Sequence, residues 1–283
     1  MESKIEQLSV STPERVEIKK EHIDELYKRL ITSQPLQVAF LGSRFDKLNS
    51  RKRKKELVKA FFSETVYDQQ VTKASLEAIV RLQMLDLEMS SLDIKNKGIL
   101  NLGVEMPIFD EFLRIAYDCD VISLDDFPSD QNTSFPGAAD RYVYGDARML
   151  PFKDEAFDVI ISHAAVPHIF VQPREEGESD IDLLKEDYDI SIIVDEVLMA
   201  LEESYRCLKP GGQIRFSALS RNIELDEVDI HKPGLSKEIR SKIINKKVDI
   251  LEKGIQFFEH KNHCLVLYKS TTSGVLIIKK PGN

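Results

Sequence analysis

The chain has no apolar run long enough to cross a bilayer, which excludes a helical membrane span as its organising feature. Its first twenty residues, "MESKIEQLSVSTPERVEIKK", are charged throughout, so no secretory leader is expected. Cysteine is sparse: Cys119, Cys207 and Cys264 stand far apart with no CxxC pairing, which fits a reducing cytosol and argues against a zinc site. The histidines add no metal-ligand spacing, so no metal is expected. Positive charge is also short. With 39 basic against 48 acidic residues the net charge is −9, and a broad basic surface for nucleic acid is not expected. The one basic run, "RKRKK" at 51–55, heads an apparent helix with Leu57, Val58, Phe61 and Phe62 as its apolar positions. A solvated helix face explains it, with a nuclear signal or polyanion contact as the other reading.

What is present is enough for one large domain with an appendage. Residues 1–98 read as a mainly helical N-terminal extension or cap, with Ile23, Leu26 and Leu30, then Leu76, Val80, Met84 and Leu87, at helical spacing. "LQVAFLGS" between them reads as a short strand. From Ile99 the rhythm changes. "GILNLG", "DVISLDD", "RYVYGD", "FDVIIS" and "GQIRFSAL" alternate with helical patterns, and "CLVLYKS" and "VLIIKK" follow near the end. That alternation predicts an α/β domain over 99–283, a doubly wound, mostly parallel sheet with helices on both faces.

Residues 127–140 carry too many turn formers for a helix. Residues 174–189 hold eight carboxylates against two basic groups, which predicts an exposed insertion. A helix follows with Ile193, Val197, Leu201 and Leu208 on one face, ending at "LKPGG", where proline stops the helix and the glycines permit a reversal. A further helix carries Leu235, Ile239 and Ile243.

In an open parallel sheet, ligands bind beyond the carboxyl ends of the strands where strand order reverses. Three successive strands here end on informative residues. The first ends at Gly103 and the second at Asp125, where an acid can accept hydrogen bonds from ribose hydroxyls. The third ends at Gly145-Asp146, where a second carboxylate can meet an adenine amino group.

At this point the chain resembles a family. "YVYGDARMLPFKDEAFDVIIS" and "ALEESYRCLKPGGQIRFSAL" are similar to the central and later motifs of class I S-adenosylmethionine-dependent methyltransferases, of the type-11 group. The resemblance spans 99–219 and implies a seven-stranded Rossmann-like methyltransferase fold with S-adenosylmethionine as cofactor. It implies that Asp125 holds the cofactor ribose, with Asp126 a neighbouring candidate. It also implies that Asp146 and the Ala147 backbone meet the adenine, and that Gly103 is the first glycine of the cofactor loop.

The loop itself departs from the family pattern, acid-hydrophobic-G-x-G-x-G. Asn101 replaces the acid, Glu105 the second glycine and Pro107 the third. Pro107 suits the first turn of a helix. Glu105 lies near a helix N-terminus, where it either caps the helix in place of the ligand's carboxylate or pairs with the ligand's ammonium group. Either Coulomb interaction is on the order of 4 kcal/mol before desolvation.

After the fourth strand, "SHAAVPHIF" passes the cofactor in the resembling family. His168 matches a histidine often found there, and His163 is a second candidate; either can act as a general base or hold only a structural bond. The implied partner is a small-molecule or protein methyl acceptor, neither nucleic acid nor membrane. The alternative is a non-catalytic methyltransferase-fold domain that binds a ligand or partner. A nicotinamide oxidoreductase is disfavoured because G-x-G-x-x-G is absent.

Overall fold

A computed structural model of the chain describes residues 18–32, 66–89, 92–103, 107–125, 141–163, 182–217, 237–262, 264–269 and 275–282. Seven strands form one sheet: β1 (Gly98–Leu102), β2 (Asp120–Asp125), β3 (Tyr142–Tyr144), β4 (Phe157–His163), β5 (Leu208–Ser217), β6 (Leu265–Lys269) and β7 (Val275–Lys279). Their spatial order is β3-β2-β1-β4-β5-β7-β6. The first five pair in parallel, and β7 lies antiparallel between β5 and β6. This is the doubly wound, mostly parallel, seven-stranded architecture that the alternating pattern predicts. The chain winds outward from β1 to β3, then returns to place β4 on the other side of β1. Strand order therefore reverses between β1 and β4.

Among the described residues five α-helices cover the sheet: α1 (Lys20–Thr32), α2 (Val66–Asp86), α3 (Pro107–Tyr117), α4 (Ser191–Cys207) and α5 (Lys237–Asn262). Pro107 opens α3, as its fixed φ and missing N–H suit. On one face, Ile23 and Leu26 of α1, Leu76, Val80 and Met84 of α2, and Ile108, Phe109, Phe112 and Leu113 of α3 pack over Ile99, Val121, Val159 and Ile161. The opposite face buries Leu100, Leu124, Ile160, Ile214 and Phe216 against α4 and α5. The buried cluster on this face has residues on both sides of position 98, with α1 and α2 packed on α3.

Polar contacts fix that layer. Lys73 Nζ of α2 donates to Asp24 of α1 at 2.5 Å, and Arg29 of α1 pairs with Glu111 of α3. Arg215 of β5 is 3% exposed; its guanidinium donates to the carbonyls of Leu87 (3.1 Å) and Glu88, just past the end of α2, and to Gln213 Oε1. A cation at a helix C-terminus meets both the orphan carbonyls and the negative end of the dipole.

Local readings needed revision in three places. The helix before "LKPGG" ends at Cys207, and Leu208 is the first residue of β5, paired with Phe157. The following Lys-Pro-Gly-Gly bulges out of register between Phe157 and Val159, with Gly211 at φ +77, so these glycines serve a bulge within the strand and not a reversal before it. In the acidic 174–189 stretch, Leu183 is fully buried beneath α4 and α5, so this part is anchored to the core. The readings of a strand at 36–43, of a helix around "RKRKK" and of irregular chain at 127–140 lie outside the described residues, as does Leu235.

A further polar anchor joins the start of α3 to β1 and β2. Asp110, in the first turn of α3, has no exposed surface; its carboxylate accepts from Asn101 Nδ2 of β1 at 2.7 Å and from Ser123 Oγ of β2 at 2.5 Å. Among the described residues no helix is long and apolar enough to cross a membrane, and no three His, Cys, Asp or Glu side chains are placed to hold a metal ion.

Burial holds the Asp110 carboxyl above the usual carboxylate range, outweighing the opposing pull of Arg114. A carboxyl raised in the folded state contributes stability below its unfolded value of about 3.9, and that contribution is lost as pH rises through the folded value. The stability of the natural chain relative to Asp110→Asn is therefore expected to fall as pH is raised from about 4 towards neutrality, read from paired urea midpoints. Asp110→Ala, which strands both donors, is expected to cost roughly 2–4 kcal/mol.

Candidate active site

Parallel pairing brings the carboxyl ends of β1 to β4 to one edge. The register pairs Asn101 with Ile161, so two residues further on Gly103 and His163 reach the same level, at the reversal point between β1 and β4. Gly103 has φ +70, the left-handed region that glycine enters without a Cβ penalty. Its N–H donates to Leu124 O at 2.8 Å, and Gly145 N–H donates to Asp125 O at 3.0 Å. These two backbone bonds lash the ends of β1, β2 and β3 together, with Asp125 half-buried between them. Gly103, Asp125 and Asp146 thus lie along one edge of the sheet.

The Asp146 carboxylate is heavily engaged. Its Oδ1 accepts from the Arg148 backbone N–H at 2.8 Å, a side-chain turn two residues on. The Arg148 guanidinium donates to both oxygens, at 2.6 Å from Nη2, and its Nη1 reaches Glu196 of α4 at 2.5 Å. That pairing raises the Arg148 pKa, through the Asp146 hydrogen bond first. Ala147 beside it is buried. Sequence reading missed Arg148 and Glu196. The "GDAR" spacing carries a local signal for Arg148, because an Asp side chain reaches the backbone two residues on; Glu196 is 48 residues further along the chain.

The rest of the motif is held from α4. Arg206 donates to Phe152 O at 2.8 Å and Leu150 O at 3.1 Å, and Glu203 accepts from Leu150 N–H at 3.0 Å. Arg206 in turn holds the Glu203 carboxyl below its ordinary range. Phe157 is core, 5.0 Å from Phe152 edge to face. Burial pushes the thiols of Cys119 and Cys207 up to about 11, which disfavours their thiolate forms.

His163 ends β4, its Nε2 3.1 Å from Asp86 Oδ2 at the last residue of α2. The sequence pointed to His163 but not to Asp86, 77 positions earlier. Glu105, Asp126 and His168 lie outside the described residues, so the alternatives for Glu105 stay as the sequence left them.

With this geometry in hand, a family model described as a methyltransferase domain matches residues 111–186. The match begins inside α3 and runs through Asp125, Asp146 and His163. The matched segment makes this part of the chain similar to methyltransferase domains. No curated protein matches the chain.

Solved structures of similar fold include a candidate S-adenosyl-L-methionine-dependent methyltransferase from Methanococcus maripaludis (17% identity, 82% of this chain and 92% of that one, TM-score 0.42). Another is a SAM-dependent methyltransferase from Aquifex aeolicus (11%, 73% and 96%, 0.41). A third is the N-methyltransferase NodS from Bradyrhizobium japonicum in complex with S-adenosyl-L-homocysteine (13%, 73% and 88%, 0.39).

Because Gly103 occupies the left-handed region, Gly103→Ala is expected to cost about 1–2 kcal/mol, measured as a lowered urea midpoint with unchanged slope.

Proposed function

We propose that this chain transfers a methyl group from S-adenosylmethionine to a small-molecule or protein acceptor in the cytosol. The observation that carries the reading is the lashing of Gly103, Asp125 and Gly145-Asp146 along one sheet edge at the reversal point. These residues fit the cofactor by their chemistry. Gly103 offers backbone without a Cβ, Asp125 a carboxylate for vicinal hydroxyls, and Asp146 with Ala147 an edge for an adenine amino group. When bound, S-adenosylmethionine supplies an electrophilic methyl carbon on a sulfonium.

The protein's own part is to hold donor and acceptor in line, which is where most of the rate effect of such a transfer originates. A net charge of −9 supports an acceptor other than nucleic acid, since phosphate contacts require basic groups. The scattered cysteines support the cytosolic setting.

Thermal unfolding with S-adenosylmethionine or S-adenosylhomocysteine tests the reading. At about 100 times its dissociation constant either ligand stabilises by roughly 2.7 kcal/mol, and a rise of several degrees in the midpoint is expected with both. Asp125→Ala is expected to abolish the rise while leaving the ligand-free midpoint in place. An Asp125→Ala protein with undiminished affinity would sink the site assignment.

One observation favours the second reading, a non-catalytic ligand- or partner-binding module. The Asp146 carboxylate is already engaged by Arg148. Arg148→Ala separates the two. Arg148 is about a third exposed, so its loss is expected to cost less than about 1 kcal/mol of stability. In an enzyme whose Asp146 must turn to an adenine, releasing it is expected to tighten S-adenosylmethionine binding about threefold to tenfold by calorimetric titration. No heat from either protein would favour the module.

A further inference from the structure

The His163–Asp86 pair joins the end of β4 to the end of α2, and each of these elements has other anchors. β4 is held by its parallel neighbours β1 and β5, and the end of α2 by Arg215. Yet an imidazole at the carboxyl end of β4, level with Gly103, faces a carboxylate brought in from the N-terminal helical layer, 77 residues away. Both side chains are largely shielded, His163 at 24% and Asp86 at 16% exposure. Such shielding keeps the pair from being screened as a surface contact is.

We infer that Asp86 is a positioning residue for His163, and that the site takes an acceptor whose reacting heteroatom carries a proton, a hydroxyl or an N–H. This rests on the methyltransferase reading above. A carboxylate only accepts hydrogen bonds, so at 3.1 Å from Nε2 it fixes the ring proton on that nitrogen. Nδ1 is then the unprotonated nitrogen, free to take a proton. A carboxylate placed this way orients an imidazole in one tautomer and stabilises the imidazolium that forms when the ring accepts a proton.

The chemistry balances without a further reagent. The acceptor's proton passes to Nδ1 of His163, and the heteroatom's electron pair forms the new bond to the methyl carbon. The donor's carbon–sulfur bond breaks with its electron pair left on sulfur, which becomes a neutral thioether. His163 then returns its proton to water. An acceptor with no such proton, a thioether or a tertiary amine, has no need of this base. The inference also gives α2 a part in the site: its last residue supports the base.

Two measurements test it. In protein labelled with 15N-histidine, long-range proton–nitrogen spectra report the tautomer without any turnover. His163 is expected with its proton on Nε2 in the natural chain, and in a tautomer mixture in Asp86→Ala. The Nε2–H form is expected to return in Asp86→Glu. A His163 that keeps the Nε2–H form in Asp86→Ala overturns the positioning role.

The second measurement follows labelled methyl transfer from S-adenosylmethionine to four probe acceptors: a phenol, a primary amine, dimethyl sulfide and trimethylamine. Transfer to the phenol or the amine is expected, with kcat lowered about tenfold or more in Asp86→Ala and KM for the acceptor little changed. Transfer confined to dimethyl sulfide or trimethylamine, transfer to none of the four, or a change in KM alone overturns the inference. Calorimetric titration of the Asp86→Ala protein with S-adenosylmethionine is expected to match the natural chain. If the natural chain itself gives no heat, the methyltransferase reading has failed, whatever the tautomer of His163.

Discussion

A carboxylate with no exposed surface sits beneath the candidate site, and the geometry of that site depends on it. Asp110 joins β1 through Asn101, β2 through Ser123 and α3 through its own backbone, at the point where the chain leaves the sheet and enters the helix. Placing a carboxyl there carries a desolvation cost, visible in the upward displacement of its pKa. The two hydrogen bonds and the nearby Arg114, whose Nη2 donates to Val121 O, offset part of that cost. A buried polar knot of this kind is a modest source of stability but a strict source of geometry, because its partners satisfy it in one arrangement. With the start of α3 pinned to both strands, Gly103 has few ways to turn, and it takes the left-handed one.

The N-terminal layer adds a second constraint. Arg215, nearly as buried as Asp110, reaches across from β5 to the carbonyls beyond α2, while Asp86 reaches His163. Both contacts hold the same helix end, one against β5 and one against β4. The apolar packing of α1 and α2 on α3 is spread over many side chains and tolerates small shifts. The polar contacts at the end of α2 do not, since a displaced helix would strand a buried guanidinium. The two polar contacts therefore set where α2 stops relative to the sheet edge.

Much of this was legible in the residues, for identifiable reasons. Short apolar runs alternating with helical periods specify parallel strands covered on both faces, and all seven strand segments read from residue 98 onward are strands in the structure. The positions of Gly103, Asp125 and Asp146 were legible because each lies at or just beyond the end of a strand, and a parallel sheet brings strand ends to a common edge. The loss of regularity at Leu208 was not, because a helix running directly into a strand leaves no turn residue between them. Asp86, Glu196 and Arg215 were out of reach for a different reason. Each acts on residues 48 to 128 positions away, and no local pattern encodes such a pairing. Asp110 is an acid in a first helical turn, where the dipole favours one, and no local pattern encodes its burial against Ser123 and Asn101.

That last residue bears on the departure at the cofactor loop. The resembling family places an acid where this chain has Asn101, and the substitution reads from sequence as a loss. In the structure Asn101 is the amide partner of a carboxylate nine residues later. A strand acid facing Asp110 in that buried space would set two like charges within hydrogen-bond reach, a repulsion that only a shared proton could relieve. An amide on the strand and an acid on the helix are a compatible pair; two acids are not. Asn101 and Asp110 are thus one feature in two places. The strand residue is the amide and the helix residue the acid, so one carboxyl and not two occupies that buried space. Around this pair Gly103 takes the left-handed conformation, and backbone hydrogen bonds join the ends of β1, β2 and β3.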